Sequence, residues 1–238
     1  MVEYGLRVKN VNGFVQIDGS YANLALVEIL SLTATTQAGG PNGVIWIVRR
    51  NFPGYITPTI AIAANNNVAV CCSGRVVNGV WQVTFWASTR TAFQVYVFDE
   101  ASRGTRFNID YGLMVKNKTT GAVVFDSRMK YMRVIDVIAG TSDDFKAVIR
   151  SYPNAKKVAV VQGLFWAYSF HQIVPDDPVD PTAIASILAS ASYNPTANSM
   201  TLDVMSVYEN ANRLSQNPIP NWYCPTYSYL VLDVSDFD

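Results

Sequence analysis

The chain has 238 residues, half of them hydrophobic and only 15% charged, with 18 Lys+Arg against 18 Asp+Glu. No net charge and no Lys/Arg-rich block (Arg49-Arg50 and Lys156-Lys157 are the only adjacent basic pairs) exclude the concentrated basic surface that a nucleic-acid footprint needs. The length allows one large domain or two ordinary ones. So little charge, against about 25% in an average soluble domain, fits either two well-filled β cores or surface buried against other subunits.

The first stretch, Tyr4-Gly5-Leu6-Arg7-Val8-Lys9-Asn10-Val11-Asn12-Gly13-Phe14-Val15-Gln16-Ile17-Asp18, returns as Tyr111-Gly112-Leu113-Met114-Val115-Lys116-Asn117 and Gly121-Ala122-Val123-Val124-Phe125-Asp126, with one extra residue in the turn. Of the 15 positions in the first copy, 9 are identical in the second. That spacing, about half the chain, predicts an internal duplication. Tyr4, Leu6 and Val8 alternate with Gly5, Arg7 and Lys9, the period of a half-buried strand. Asn12-Gly13 tolerates the positive φ of a tight turn, and Gly121 keeps that property in the second copy, so each copy predicts a β-hairpin. Asp18 and Asp126 close the two copies and are expected to accept turn hydrogen bonds. Lys9 and Lys116 on the exposed faces are expected to guard the strand edges.

Further strands are predicted at Asn23–Leu32, Val44–Val48 (closed by Arg49-Arg50 and Asn51-Phe52-Pro53-Gly54), Thr57–Ala64 and Val68–Ser73. Asn65-Asn66-Asn67 makes the last two a hairpin candidate. Val80–Trp86 follows an Asn78-Gly79 turn signal, and Phe93–Asp99 ends the first unit. The polar run Glu100–Asn108 is read as the boundary, giving domains 1–103 and 104–238.

After the second hairpin, Lys130–Ile138 parallels Asn23–Leu32, and Thr141–Arg150 fits one or two helical turns. Lys157–Ile173 is a long strand or a pair, with Gly163 at a bulge. Ala183–Ser192 and Ser199–Tyr208 read as strands, although Ala183–Ala191 also fits a helix. Glu209–Thr226 is a long irregular stretch, and Tyr227–Asp233 mirrors Phe93–Asp99. The chain is expected to be all-β, two tandem antiparallel β-sandwiches of jelly-roll-like topology.

The N-terminus runs straight into a strand, so no leader is expected, and no apolar run is long enough for a membrane-spanning helix. Cys71, Cys72 and Cys224 make no disulfide framework and are expected reduced, with Cys71 and Cys72 facing opposite ways, which suits synthesis in a reducing cytoplasm.

Chemistry is hard to find. His171 is the only histidine, so a zinc cluster built on histidines is excluded, and its aromatic strand context favours a structural role. Asp176, Asp177 and Asp180 offer oxygens to a cation, but the prolines between them fit no calcium loop and favour a solvated one. The only glutamates, Glu3, Glu28, Glu100 and Glu209, mark no glycosidase pair, and neither a nucleophile elbow nor a phosphate loop is present. No cofactor and no enzymatic activity are expected. The strongest surface candidates are Trp222, Tyr223 and Tyr227, aromatics at the end of a long loop. These either contact a receptor or partner or plug the second core.

The stretches Tyr4–Asn10 with Val15–Asp18, and Val124–Arg128 with Lys130–Asp136, resemble a family of small tail proteins from long-tailed bacteriophages, often encoded near the central tail-fibre gene. The resemblance covers the first hairpin and the middle of the chain, not the loops or the last third. It implies a virion component at or near the tail tip, made in the host bacterial cytoplasm. It further implies oligomerisation, docking to central-fibre or baseplate proteins, a contribution to host attachment, and no catalytic residues. The alternative reading is a free carbohydrate-binding module acting through Trp222, Tyr223 and Tyr227; a surface-glycan hydrolase or lyase would need carboxylates that no local pattern marks.

Overall fold

The structure, a computed structural model, describes residues 8–9, 15–17, 23–38, 45–55, 58–64, 68–141, 148–163, 167–173, 182–194, 199–209, 222–224 and 226–237. In the first half lie β1 (Val8–Lys9), β2 (Val15–Ile17), β3 (Leu24–Thr33), β4 (Thr36–Ala38), β5 (Ile45–Phe52), β6 (Thr59–Ala63), β7 (Val70–Val77), β8 (Val80–Ala87) and β9 (Ala92–Glu100). A 3-10 turn, Ala101–Arg103, leads to the second half. There lie β10 (Met114–Lys116), β11 (Val123–Asp126), β12 (Val134–Thr141), β13 (Val148–Ser151), β14 (Val158–Gln162), β15 (Ala167–Ile173), β16 (Thr182–Asn194), β17 (Ser199–Glu209), β18 (Trp222–Cys224) and β19 (Thr226–Asp233). The all-β class stands as read.

The repeated stretch forms the same hairpin twice. Val8 faces Ile17 and Lys9 faces Val15 across β1–β2; Val115 faces Phe125 and Lys116 faces Val123 across β10–β11. These are equivalent positions of the two copies. The bulged residue left over in each return strand, Gln16 or Val124, is equivalent as well. Gly121 closes the second turn at φ +71°; Asn12, Gly13 and Asp18 lie outside the described residues.

Six strands form one sheet in the order β12-β19-β14-β6-β9-β3. With β3 matched to β12, β9 to β19 and β6 to β14, the order reads the same from either edge. The irregularities match too. β3 slips against β9 between Leu26 and Glu28, and β12 slips against β19 between Val134 and Asp136. At the centre β6 and β14 pair antiparallel, Ile62 opposite Val160. The outer edges also meet. The Leu26 N–H donates to the Lys130 carbonyl at 2.7 Å and the Met132 N–H to the Leu24 carbonyl at 3.0 Å, just before the chain enters β12. The sheet is thereby curled towards a closed barrel, which removes much of its exposed edge.

Side chains alternate across this sheet between two cores. Ala61, Ala63, Tyr96, Phe98, Ala159 and Leu232 point inward and pack with Leu26 and Phe237. Ile62, Val95 and Val97, and in the second half Val160, Tyr229 and Val231, point outward against the other sheet. Burial on both faces is why Val158–Val161 and Val95–Phe98 are apolar without interruption.

The other sheet runs β13-β17-β16-β7-β8-β5-β4, with β15 on β16 and β18 on β15. Phe52, Val70, Val83, Phe85 and Ala87 seat it on the first half of the curled sheet, and Met200 and Leu202 on the second. Within each half the chain crosses repeatedly between the sheets, as Greek-key sandwiches do. Both sheets take strands from either side of the 103/104 division: β6 bonds to β14, and β7 meets β16 at Val70 opposite Ala191.

Several local expectations change. The strands around Asn65-Asn66-Asn67 are no hairpin, because β6 and β7 belong to different sheets; Asn65–Asn67 lie outside the described residues. Arg49-Arg50 do not end their strand, which continues to Phe52 as an edge-facing polar run. The polar run after Glu100, read as the boundary, is hydrogen-bonded to β3, the Thr105 N–H donating to the Leu26 carbonyl at 2.6 Å. The end of Thr141–Arg150 is strand β13, with residues 142–147 outside the described set. Lys157–Ile173 is a pair split between sheets, and Ala183–Ala191 is strand, bonded along its length to β17. The Asn78-Gly79 turn forms as read, with φ +51° and +77° and Val77 opposite Val80.

Candidate functional site

The second hairpin is fixed at its base by Asp126, a carboxylate with no exposed surface. The Arg128 N–H and Nε donate to Oδ1 at 3.0 and 2.8 Å, and Arg128 Nη2 donates to Oδ2 at 2.7 Å. Arg106 adds a second cation at 3.4 Å. The Asp126 N–H donates to the Tyr131 hydroxyl at 2.6 Å, and the Tyr131 ring stacks on Phe125 at 5.2 Å between centroids. The fork of Arg128 meets the carboxylate two oxygens at a time, the strongest geometry for such a pair. The strand-end role read for Asp126 is what its bond to the Arg128 N–H performs.

The Arg128 hydrogen bonds, outweighing burial, lower the Asp126 carboxyl from 3.8 to about 2. A depressed folded-state pKa stabilises the fold fully above the unfolded value, and that contribution is lost as the pH falls towards the folded one. In an NMR titration the Asp126 and Arg128 amides should therefore shift with a midpoint near 2. Stability relative to Asp126→Asn should decline between about pH 4 and 2. A midpoint at the ordinary carboxylate value would show the Arg128 fork to be absent in solution.

A carboxylate–tyrosine contact recurs in the two halves. Directly after the slip in β3, Glu28 accepts the Tyr55 hydroxyl at 2.5 Å; directly after the slip in β12, Asp136 accepts the Tyr152 hydroxyl at 2.8 Å. Burial first, and the carboxylate bond second, push both phenols above their ordinary value. In the first half the chain of contacts continues. Arg103 lies over the Tyr55 ring at 4.7 Å, bonds the Gly54 carbonyl, and pairs at 2.9 Å with Asp99, which has no exposed surface. These are hydrogen-bonded clamps between layers.

Above Asp126 the segment leading into the hairpin presents open apolar side chains. Ile109 is 44% exposed, Tyr111 84%, Leu113 53% and Met114 37%. The alternation of Tyr111 and Leu113 was expected to mark a half-buried face. β10 and β11 pair only with each other; Val124 and Asp126 of the return strand are buried, while Tyr111, Leu113 and Met114 stay open among the described residues. Sequence reasoning missed this surface; the signal available was that Tyr4, Leu6 and Val8 recur unchanged as Tyr111, Leu113 and Val115.

The aromatics singled out from the sequence separate. Trp222 and Tyr223 lie in β18 opposite Ser169 and Tyr168, and their side chains lie outside the described residues. Tyr227 is only 4% exposed, packs on Tyr229 at 6.4 Å, and covers Gly140, where an added Cβ would come 2.5 Å from its hydroxyl. The partner-contact role is corrected for Tyr227, which fills the second core. His171 pairs with Ile184 in the sheet, and Asp176, Asp177 and Asp180 lie outside the described residues. Cys71 is buried and Cys72 half-buried, both free thiols, in keeping with opposite-facing neighbours on one strand. Among the described residues no group of three or more His, Cys, Asp or Glu side chains is placed to hold a metal ion. Compared with known proteins, the chain matches no family model, no curated protein and no solved structure.

Proposed function

We propose that the chain is a non-enzymatic structural subunit of a bacteriophage tail tip or baseplate, carried in the virion after synthesis in the host bacterial cytoplasm. In this reading it docks to a central-fibre or baseplate protein and contributes to host attachment. The observation that carries the proposal is the exposed Tyr111, Leu113 and Met114 on a hairpin anchored by Asp126. A rigid platform presenting a large aromatic and two aliphatic side chains is the kind of centre around which protein interfaces gain affinity. The same hairpin motif carries the resemblance to tail proteins. The curled sheet, sharing strands between both halves, supplies the stiffness a load-bearing subunit needs.

Immunogold labelling of purified particles from the source culture tests the assignment. Label at the tail tip is the expected result; unlabelled particles with the protein left soluble in the lysate would overturn it. The surface is tested by Tyr111→Ser with Leu113→Ser. Both side chains are exposed, so stability should change by less than about 0.5 kcal/mol, while incorporation into particles falls at least about tenfold. Unchanged incorporation would move the docking site elsewhere.

A further inference from the structure

A cleft of about 380 Å³ opens where the two halves join, between the start of β6 and the end of β14 on one side and β7 and β8 on the other. Its size lies in the range of small-ligand sites, about 300–1,000 Å³. Thr59, Cys72, Ser73, Gly74, Trp81 and Gln162 supply its polar and aromatic wall. The half-buried Trp81 ring lies over the bare backbone of Gly74; an added Cβ there would sit 3.2 Å from Cζ3. Glycine at this position lets the indole lie flat beside the opening.

Gln162 provides the directional group. Its Oε1 accepts the Cys72 N–H at 3.1 Å, which fixes the amide so that Nε2 is the free end. Nε2 is buried and has no partner. A buried donor without a partner is costly, and since the Gln162 side chain lines the cleft, a ligand oxygen that draws Nε2 to the opening would relieve that cost. Among the described residues no charged side chain lines the cleft, and burial pushes the Cys72 thiol up to about 12, so it too stays neutral.

We propose that this cleft binds a neutral sugar residue, with the Trp81 ring against its C–H face, the Gln162 amide donating to a ring-substituent oxygen, and the Ser73 and Thr59 hydroxyls at its edge. The chemistry is selective. An aromatic wall suits the apolar face of a pyranose, while hydroxyl and amide groups match its hydroxyls. An anionic sugar would lose hydration without gaining a counter-charge. The proposal does not rest on the tail assignment.

The test uses the full chain, with methyl glucoside, methyl galactoside and N-acetylglucosamine as probes and N-acetylneuraminate as the anionic control. Two-dimensional NMR follows the tryptophan indole signals. The expected result is a saturable shift, with at least one neutral sugar, of the one indole signal that Trp81→Phe removes. The dissociation constant should be of order millimolar. Gln162→Leu should weaken binding about tenfold and Ser73→Ala about threefold. If Gln162→Leu loses its dispersed spectrum, Ser73→Ala decides alone. No saturable Trp81 shift with any neutral probe at about fiftyfold the expected constant would overturn the proposal. So would equal binding of N-acetylneuraminate, or unchanged affinity in the folded variants.

Discussion

Replacing Phe237 by alanine is expected to remove about 3–5 kcal/mol of stability, the larger of the two strongest effects anticipated for this chain. Phe237 is 2% exposed although it stands next to the last residue. Its ring lies 6.3 Å from Tyr96 and 6.1 Å from Phe98, inside the curled sheet, and Arg133 covers it from outside at 5.1 Å. Its neighbours there are Ala61, Ala63 and Ala159, whose methyl groups have no rotamers with which to refill a vacated space. Tyr96 is held in place as well, its hydroxyl donating to Gln94 at 3.0 Å. A site that cannot collapse keeps its cavity, and the cost stays at the upper end of the aromatic-to-alanine range. The Phe237 carbonyl would still accept Lys130 Nζ, so the side chain alone is tested. In urea the midpoint should fall with the slope unchanged, and the melting temperature should drop by roughly 6–20 °C for a chain of this size. A loss under about 1 kcal/mol would mean that the inside of the curled sheet is not part of the cooperative core.

That core shows where reading the sequence stops. The period-2 alternation of the hairpin, the Asn78-Gly79 turn and the mirrored strands Phe93–Asp99 and Tyr227–Asp233 were legible, because hydrophobic period and turn chemistry are local. Strand partners were not. Asn65-Asn66-Asn67 looks like a hairpin turn whether the chain returns to the same sheet or crosses to the other, and here it connects strands of different sheets. Ala61-Ile62-Ala63 reads as one buried strand. Only the fold reveals that small residues are needed on one face to fit a narrow interior and a large one on the other to meet the second sheet. The site was legible in part. Asp126 was marked by the repeat, but Arg106 and Tyr131 reach it through tertiary contacts that no local spacing announces. The cleft escaped entirely, because Trp81 and Gln162 are separated by about a third of the chain and come to one cleft only where the two halves share their sheets.

Asp126→Ala is expected to cost about 2–3 kcal/mol, with the loss concentrated in one region. Removing one partner of a buried pair commonly costs about 3–5 kcal/mol because the other charge is stranded. Here Arg106 and Arg128 remain 49% and 21% exposed and can rehydrate, which lowers the figure. What cannot be replaced is the turn acceptor for the Arg128 N–H, and with it the seat of the next contacts. Arg128 presents its carbonyl to the Phe107 N–H at 2.7 Å, and Lys130 presents its own to the Leu26 N–H at the same distance. Hydrogen exchange should therefore accelerate across residues 105–131 while β6, β9, β14 and β19 stay protected. Asp126→Asn separates the two contributions. It retains an oxygen for the Arg128 N–H and gives up the charge, so it should cost only about 1 kcal/mol and leave the exchange pattern near that of the parent. If both variants were equally destabilised, the ion pair rather than the turn bond would hold the hairpin; if neither moved beyond about 0.5 kcal/mol, the anchoring role of Asp126 would be wrong. Under the docking proposal, Asp126→Ala should also reduce incorporation into particles without touching Tyr111, because an interface residue on a loosened platform loses the advantage of being held in place before its partner arrives.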